Sequence, residues 1–270
     1  MIELSRTFDS GDGLLAYRDA GAGRPLVLLH ASFVDSMMFN AQLPVLARRY
    51  RVIAPDARGH GESANATRPF RQTDDLAALL RHLDLGPAVL IGVSMGAMIA
   101  VDTALEHPDL VRALVVSGRA IGEPEYRDPW SKELDATQAR AMAHGDIDTW
   151  MTAFVQWAAG PRRSLDEVDA TMVSRIREMA ARTLAKHTAS EPDHHIPVAA
   201  VAARAAAIEV PVLAADGAFD SPDLTATVDR LLAAVPGSRR EIITGAGHFP
   251  NMEQPDAYNR IIEDFVGGLR

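Results

Sequence analysis

Two rhythms of apolar residues run along the chain. Short continuous apolar runs at 26–29, 52–54, 88–91, 113–116 and 210–214, and a last strand-like segment Glu241-Ile242-Ile243, alternate with longer amphipathic stretches at 36–49, 72–83, 97–106, 222–234 and 255–266. A strand that is apolar on both sides is covered on both faces, and strands separated by helices pair in parallel. The alternation therefore predicts a parallel sheet held between helices. The beginning of the chain differs. Residues 2–8 and 14–19, separated by Gly11-Asp12-Gly13, read as two strands joined by a tight turn, so the sheet should open with antiparallel strands. From about 121 to 208 the strand rhythm disappears into helix-like segments punctuated by Pro124, Pro129, Gly160-Pro161, Pro192 and Pro197. The Ala-rich stretch 198–207 reads as a helix leading back to the core. The expected class is α/β: a mostly parallel sheet with antiparallel N-terminal strands, flanking helices and a helical cap. The core comprises 1–120 and 209–270, and the cap 121–208.

Composition narrows the partners. A chain of 270 residues, 47% hydrophobic and 23% charged, suits one globular domain with a lid. Its net charge of −9 disfavours nucleic acid and anionic membranes, which would repel the average surface. No stretch reaches the ~18 uncharged apolar residues of a membrane span, and the start lacks a signal-peptide pattern. The expectation is a cytoplasmic protein, monomer or homodimer, whose partner is a small molecule. The absence of cysteine leaves Ser, Thr, Asp or Lys as the nucleophile of any covalent chemistry.

The sharpest local signal is Gly92-Val93-Ser94-Met95-Gly96, which follows an apolar run directly and opens a helical stretch. A Ser on a sharp strand-to-helix turn is held out at the sheet edge, and small neighbours allow the close approach this needs. The helix N-terminus places the amide of Met95 to bind an oxyanion. A serine nucleophile needs a base, and His248 in Gly245-Ala246-Gly247-His248-Phe249-Pro250 follows the last strand. The base needs an acid, for which the loop after 210–214 offers Asp216 and Asp220. A second oxyanion donor should come from the loop after the third strand, with the amide of Ser32 as candidate and Phe33 as alternative. His30 precedes that position and reads as a loop-fixing residue rather than a base. Trp150, Phe154 and Trp157 recur at helical spacing, an apolar stripe that packs the cap on the core and can also line a substrate site. His30, Phe33, Trp150, Phe154, Trp157 and Phe249 form the expected substrate-binding set. The loop 58–63 reads as a structural turn with His60 and Glu62 solvated. The pair His194-His195 lacks a further ligand at metal spacing, so no metal and no cofactor are expected.

These motifs together resemble the α/β-hydrolase superfamily, and within it the branch of 3-oxoadipate enol-lactonases, arylesterases and cofactor-free haloperoxidases. The resemblance is carried by residues 30–39, Asp56-Ala57-Arg58-Gly59-His60-Gly61-Glu62-Ser63, the turn at Ser94, Gly217-Ala218-Phe219-Asp220, Gly247-His248-Phe249-Pro250 and Glu253-Gln254-Pro255. It implies Asp220 rather than Asp216 as the acid, and the triad order Ser94, Asp220, His248. It further implies a serine hydrolase acting on an ester or lactone through an acyl-enzyme. Rivals are C–C bond hydrolysis or a biosynthetic cyclase or lyase on the same triad, and a ligand receptor on the same fold. Ser94 stands where epoxide hydrolases and haloalkane dehalogenases of the superfamily carry Asp, which sets alkyl-enzyme chemistry aside. Many relatives have His-Gly where this chain has His30-Ala31. The aromatic cap and acidic composition suggest a largely apolar, neutral substrate of small to medium size.

Overall fold

A computed structural model describes residues 4–188 and 190–269. Its strands are β1 Leu4–Asp9, β2 Leu14–Gly21, β3 Pro25–Leu29, β4 Arg51–Pro55, β5 Ala88–Val93, β6 Val111–Ser117, β7 Val212–Gly217 and β8 Arg239–Ile243. The helices are α1 Leu43–Leu46, α2 Gln72–His82, α3 Met95–Glu106, α4 Pro129–His144, α5 Ile147–Gln156, α6 Ala170–Leu184, α7 Val201–Arg204, α8 Pro222–Ala234, α9 Pro250–Glu253 and α10 Pro255–Gly267. Ile2 and Glu3, read as part of the first strand, lie outside the described residues.

Among the described residues the strands form one sheet in the order β1-β2-β4-β3-β5-β6-β7-β8. β1 and β2 are antiparallel, and all pairs from β4 through β8 are parallel. This is the α/β arrangement expected from the two rhythms. The period of two sends Val89, Ile91 and Val93 of β5 to one face, and Ala88 and Leu90 to the other. The second face is closed by α2, α3 and α8, with Leu80, Val101 and Leu231 fully buried. The first is closed by α1 and α10. Phe154 of α5 and Ile176 of α6 join the same apolar cluster as Tyr258 and Phe265 of α10. No helix among the described residues is long and apolar enough to cross a membrane.

Two expected helices are shorter than their patterns. The stretch 36–49 breaks into a 3-10 turn, Ser36–Phe39, and the single turn α1. Pro44 opens α1, where its missing N–H costs nothing, and the buried Gln42 turns inward so that its Nε2 donates to the Asn251 carbonyl at 2.9 Å. The Ala-rich stretch 198–207 shrinks to α7 and the 3-10 turn Ala205–Ala207, begun by Ala200 at φ 54°. Within α7 and that turn only Ala205 is buried, and helix propensity without an apolar face to dock does not hold a longer helix.

Parallel strands point one way, so the segments leaving β3, β5, β6, β7 and β8 gather at one edge of the sheet. His30, Ser94, Gly118, Asp220 and His248 all stand there, the edge at which sheets of this kind bind ligands.

Candidate active site

Ser94 occupies the turn between β5 and α3 with φ 53° and ψ −113°, a conformation that side-chain-bearing residues rarely adopt. Its neighbours explain how the turn is tolerated. A Cβ on Gly92 would lie 2.2 Å from the Gly96 carbonyl oxygen, and one on Gly96 would lie 2.0 Å from the Leu29 carbonyl oxygen. Both positions must therefore be glycine, and the second contact docks the turn against the end of β3. The Ser94 N–H donates to the Ser117 carbonyl of β6 at 2.8 Å. Met95 is the first residue of α3, where amides have no partner within the helix and the dipole favours negative charge.

His248 is 5% exposed, and its Nδ1 lies 3.0 and 3.1 Å from the two oxygens of the equally buried Asp220. An ionised carboxylate only accepts, so Nδ1 carries the proton and Nε2 keeps its lone pair. Asp220 Oδ1 also accepts from the Ser221 N–H at 2.7 Å. The second candidate acid has different partners. Asp216 accepts from the Gly118 N–H at 2.9 Å, and its other oxygen lies 3.0 Å from Arg240 Nε without hydrogen-bond alignment. Burial pushes the Asp216 carboxyl up to about 6. Asp216 thus holds Gly118, and Gly118 sits against the His248–Asp220 pair at φ 76°.

The loop after β3, where the second oxyanion donor was expected, is fixed from behind. His30 Nδ1 donates to the Ala31 carbonyl at 2.8 Å while Nε2 accepts from the Ala57 N–H at 2.9 Å. Both ring nitrogens are occupied and the ring is 2% exposed, so His30 holds the loop and does not line the cleft beside Ser94. Asp56 accepts from the Ser36 and Glu62 amides at 2.8 and 2.9 Å, tying this loop to the next. The residue at positive φ is Phe33, at 62°, and not Ala31, so an alanine after His30 is accommodated without strain. His60, expected to be solvated, is largely enclosed with its ring 5.1 Å from that of His30. Burial, and then the neighbouring His30, pull its pKa down to about 3.

Ser94 and His248 share a cleft of about 200 Å³ that Ser32, Phe33, Phe154, Trp157 and Phe249 also line. Trp150 is not in its wall. It is 2% exposed, stacked on Phe154 with centroids 4.8 Å apart and edge-on to Phe33 at 4.5 Å, a backing layer for the aromatics that face the cleft. Polar residues that sequence reasoning passed over complete the wall: Arg119, Tyr126, Asp135 and Gln138. Trp157 Nε1 donates to Gln138 Oε1 at 2.6 Å. Burial first, then Asp135, push the Tyr126 phenol up to about 12, so it stays a donor. Arg119 stands two residues beyond β6, at the ligand-binding edge, with no local motif to mark it.

The loop carrying His248 is pinned by the segment after α5. Arg163 and Glu253, with side chains 7% and 8% exposed, pair at 2.6 and 3.0 Å, and Glu253 accepts from the Gly247 N–H at 2.8 Å. His194 and His195 belong to a different cleft, near Asp102 and Phe70. Among the described residues no group of three or more His, Cys, Asp or Glu is placed to hold a metal ion.

A profile of the alpha/beta hydrolase family matches residues 26–261. The 3-oxoadipate enol-lactonase 2 of Acinetobacter baylyi is 29% identical across 97% of this chain and 97% of its own length. The 2-(acetamidomethylene)succinate hydrolase of Mesorhizobium japonicum is 34% identical, over 58% of this chain and 55% of that protein. Among solved structures, the enol-lactonase from Burkholderia xenovorans superposes with a TM-score of 0.78 at 25% identity, covering 97% of this chain and all of that one.

Proposed function

The chain belongs to the alpha/beta hydrolase family, and from that premise we propose that it is a serine hydrolase that cleaves a carboxylic ester or lactone through an acyl-enzyme on Ser94. The observation that carries this reading is the pairing, across one small cleft, of a serine held at positive φ with a buried histidine whose Nδ1 is committed to Asp220. Asp220 fixes the tautomer that leaves Nε2 free to take the Ser94 proton, and it stabilises the imidazolium that results. Ser94 then attacks the carbonyl carbon. The amides of Met95 and of the Ser32–Phe33 turn receive the oxyanion, each worth about 3 kcal/mol of barrier in comparable sites. His248 returns the proton to the leaving oxygen, and water, activated by the same base, releases the acid. No step needs a cofactor. Residues 121–208 act as the cap that supplies Phe154 and Trp157 to the cleft wall. The enol-lactonase relative, matched over nearly its whole length, favours an ester or lactone as the scissile group.

The test is hydrolysis of 4-nitrophenyl esters from acetate to octanoate by wild type and Ser94→Ala in parallel. The expected result is turnover of at least the short esters that falls by about 10³-fold or more in the variant, because the triad acts as one unit. A folded wild type inert across the series, or a variant that keeps its rate, would remove the reading.

A further inference from the structure

The proposed chemistry has no use for Arg119, yet β6 delivers it to the cleft. Three consecutive residues at the end of this strand meet the site. Ser117 accepts from the Ser94 amide, Gly118 abuts His248, and Arg119 lines the cavity beside them. The Arg119 side chain is only 21% exposed. Its Nε–H is buried and has no hydrogen-bond partner among the described residues. Its Nη2 reaches Glu123 at 2.6 Å, but that carboxylate is 86% exposed, and an exposed pair of this kind is weak and readily exchanged. That Nε–H is closed off from the cleft, but the guanidinium that lines the cleft carries further N–H donors held only by this exposed carboxylate, and a ligand carboxylate can replace it. Two further donors stand in the same wall. Tyr126 offers its hydroxyl, and Gln138, whose Oε1 is taken by the Trp157 indole, keeps its NH₂ free to donate.

We infer that Arg119 is a carboxylate-binding subsite, and that the substrate is a carboxylate-bearing ester or lactone whose anionic end sits on Arg119, Tyr126 and Gln138 while its carbonyl lies at Ser94. The inference rests on the serine hydrolase reading for the identity of the scissile group. Asp135, exposed on α4 and lining the same cleft, repels a further negative charge and limits the subsite to one carboxylate. The neutral substrate suggested by composition gives way here because net charge averages over the surface, whereas recognition depends on the few charges in the cleft.

The test compares kcat/KM for the 4-nitrophenyl monoester of glutarate with that for 4-nitrophenyl valerate, corrected for spontaneous hydrolysis. Calorimetric binding of free glutarate runs alongside. The quantity read is the anion-to-neutral ratio. It should fall by about tenfold or more in Arg119→Gln, recover in part in Arg119→Lys, rise in Glu123→Gln, and stay unchanged in Arg140→Gln, whose arginine is on the outer surface of α4. If Ser94-dependent ester hydrolysis is present but the ratio is the same in wild type and both Arg119 variants, the subsite is overturned and the hydrolase reading stands. If no ester is turned over but glutarate binds and weakens tenfold in Arg119→Gln, the subsite stands and the hydrolase reading falls. Absence of both overturns both.

Discussion

Replacing Gly118 by alanine should disable the enzyme while barely unfolding it. The backbone at Gly118 has φ 76° and is held by the 2.9 Å bond from its N–H to the buried Asp216. A Cβ there would lie 2.8 Å from both Cε1 and Nδ1 of His248, and 3.1 Å from Asp220 Oδ2. Ordinary contact begins near 3.5 Å, so the imidazole must retreat by roughly 0.7 Å. That movement lengthens the 3.0 Å bond to Asp220 toward the limit at which it stops being a hydrogen bond. Misplacing a base by this much costs about 10²-fold, and losing its orienting acid up to about 10⁴-fold, so kcat should fall by about 10² to 10⁴. The left-handed backbone adds about 1–2 kcal/mol of strain, which lowers Tm by several degrees. Gly145→Ala supplies the control. Gly145 has φ 67° at the end of α4, and a Cβ there meets nothing within 4 Å. The two variants should lose similar Tm in a thermal scan, and only Gly118→Ala should lose ester hydrolysis. A Gly118→Ala protein with kcat within threefold of the Gly145→Ala control would show that the added Cβ does not displace His248.

Burial and the nearby Glu106, opposed by Arg204, push the Asp102 carboxyl up to about 7. A raised carboxyl pKa means that the folded chain holds a proton the unfolded chain has already released. Stability therefore declines as pH rises from about 4 to about 7, and Asp102→Asn should stabilise by about 2 kcal/mol at pH 8 and by little at pH 4, as urea unfolding at the two pH values will show. Arg163→Met strands Glu253 without its buried partner and should cost about 3 kcal/mol, with much of the loss recovered in the double variant Arg163→Met/Glu253→Leu. Equal Tm losses in the single and double variants would contradict that ledger.

The parts of the site that the sequence made legible are those encoded locally. The turn at Ser94 is a strand, a small-residue motif and a helix in succession, and the loop of His248 follows the last strand directly. Asp220 was separable from Asp216 only through the resemblance, because Asp216 ends up within β7 and Asp220 just beyond it, and the choice depends on which one meets His248 and which one holds the Gly118 amide. Gly118 and Arg119 carry no local motif. Their placement comes from β6 lying between β5 and β7, a pairing that sequence rhythm does not specify. His30 and Trp150 were expected in the substrate wall and stand behind it, since residue type shows that a side chain is buried but not which layer it occupies. The helix expected over 36–49 failed for a related reason: its apolar period is real, but Pro44 starts a new turn at 43–46, and Gln42 before it turns inward to the distant Asn251.

Whether Ser94 is an activated nucleophile is decided by reacting the folded protein with an alkyl fluorophosphonate, followed by intact mass and peptide mapping. One adduct per chain is expected, located on Ser94, absent from Ser94→Ala, and strongly slowed in His248→Ala because the base is gone. A wild type that takes up no label, or takes it up elsewhere, would contradict it.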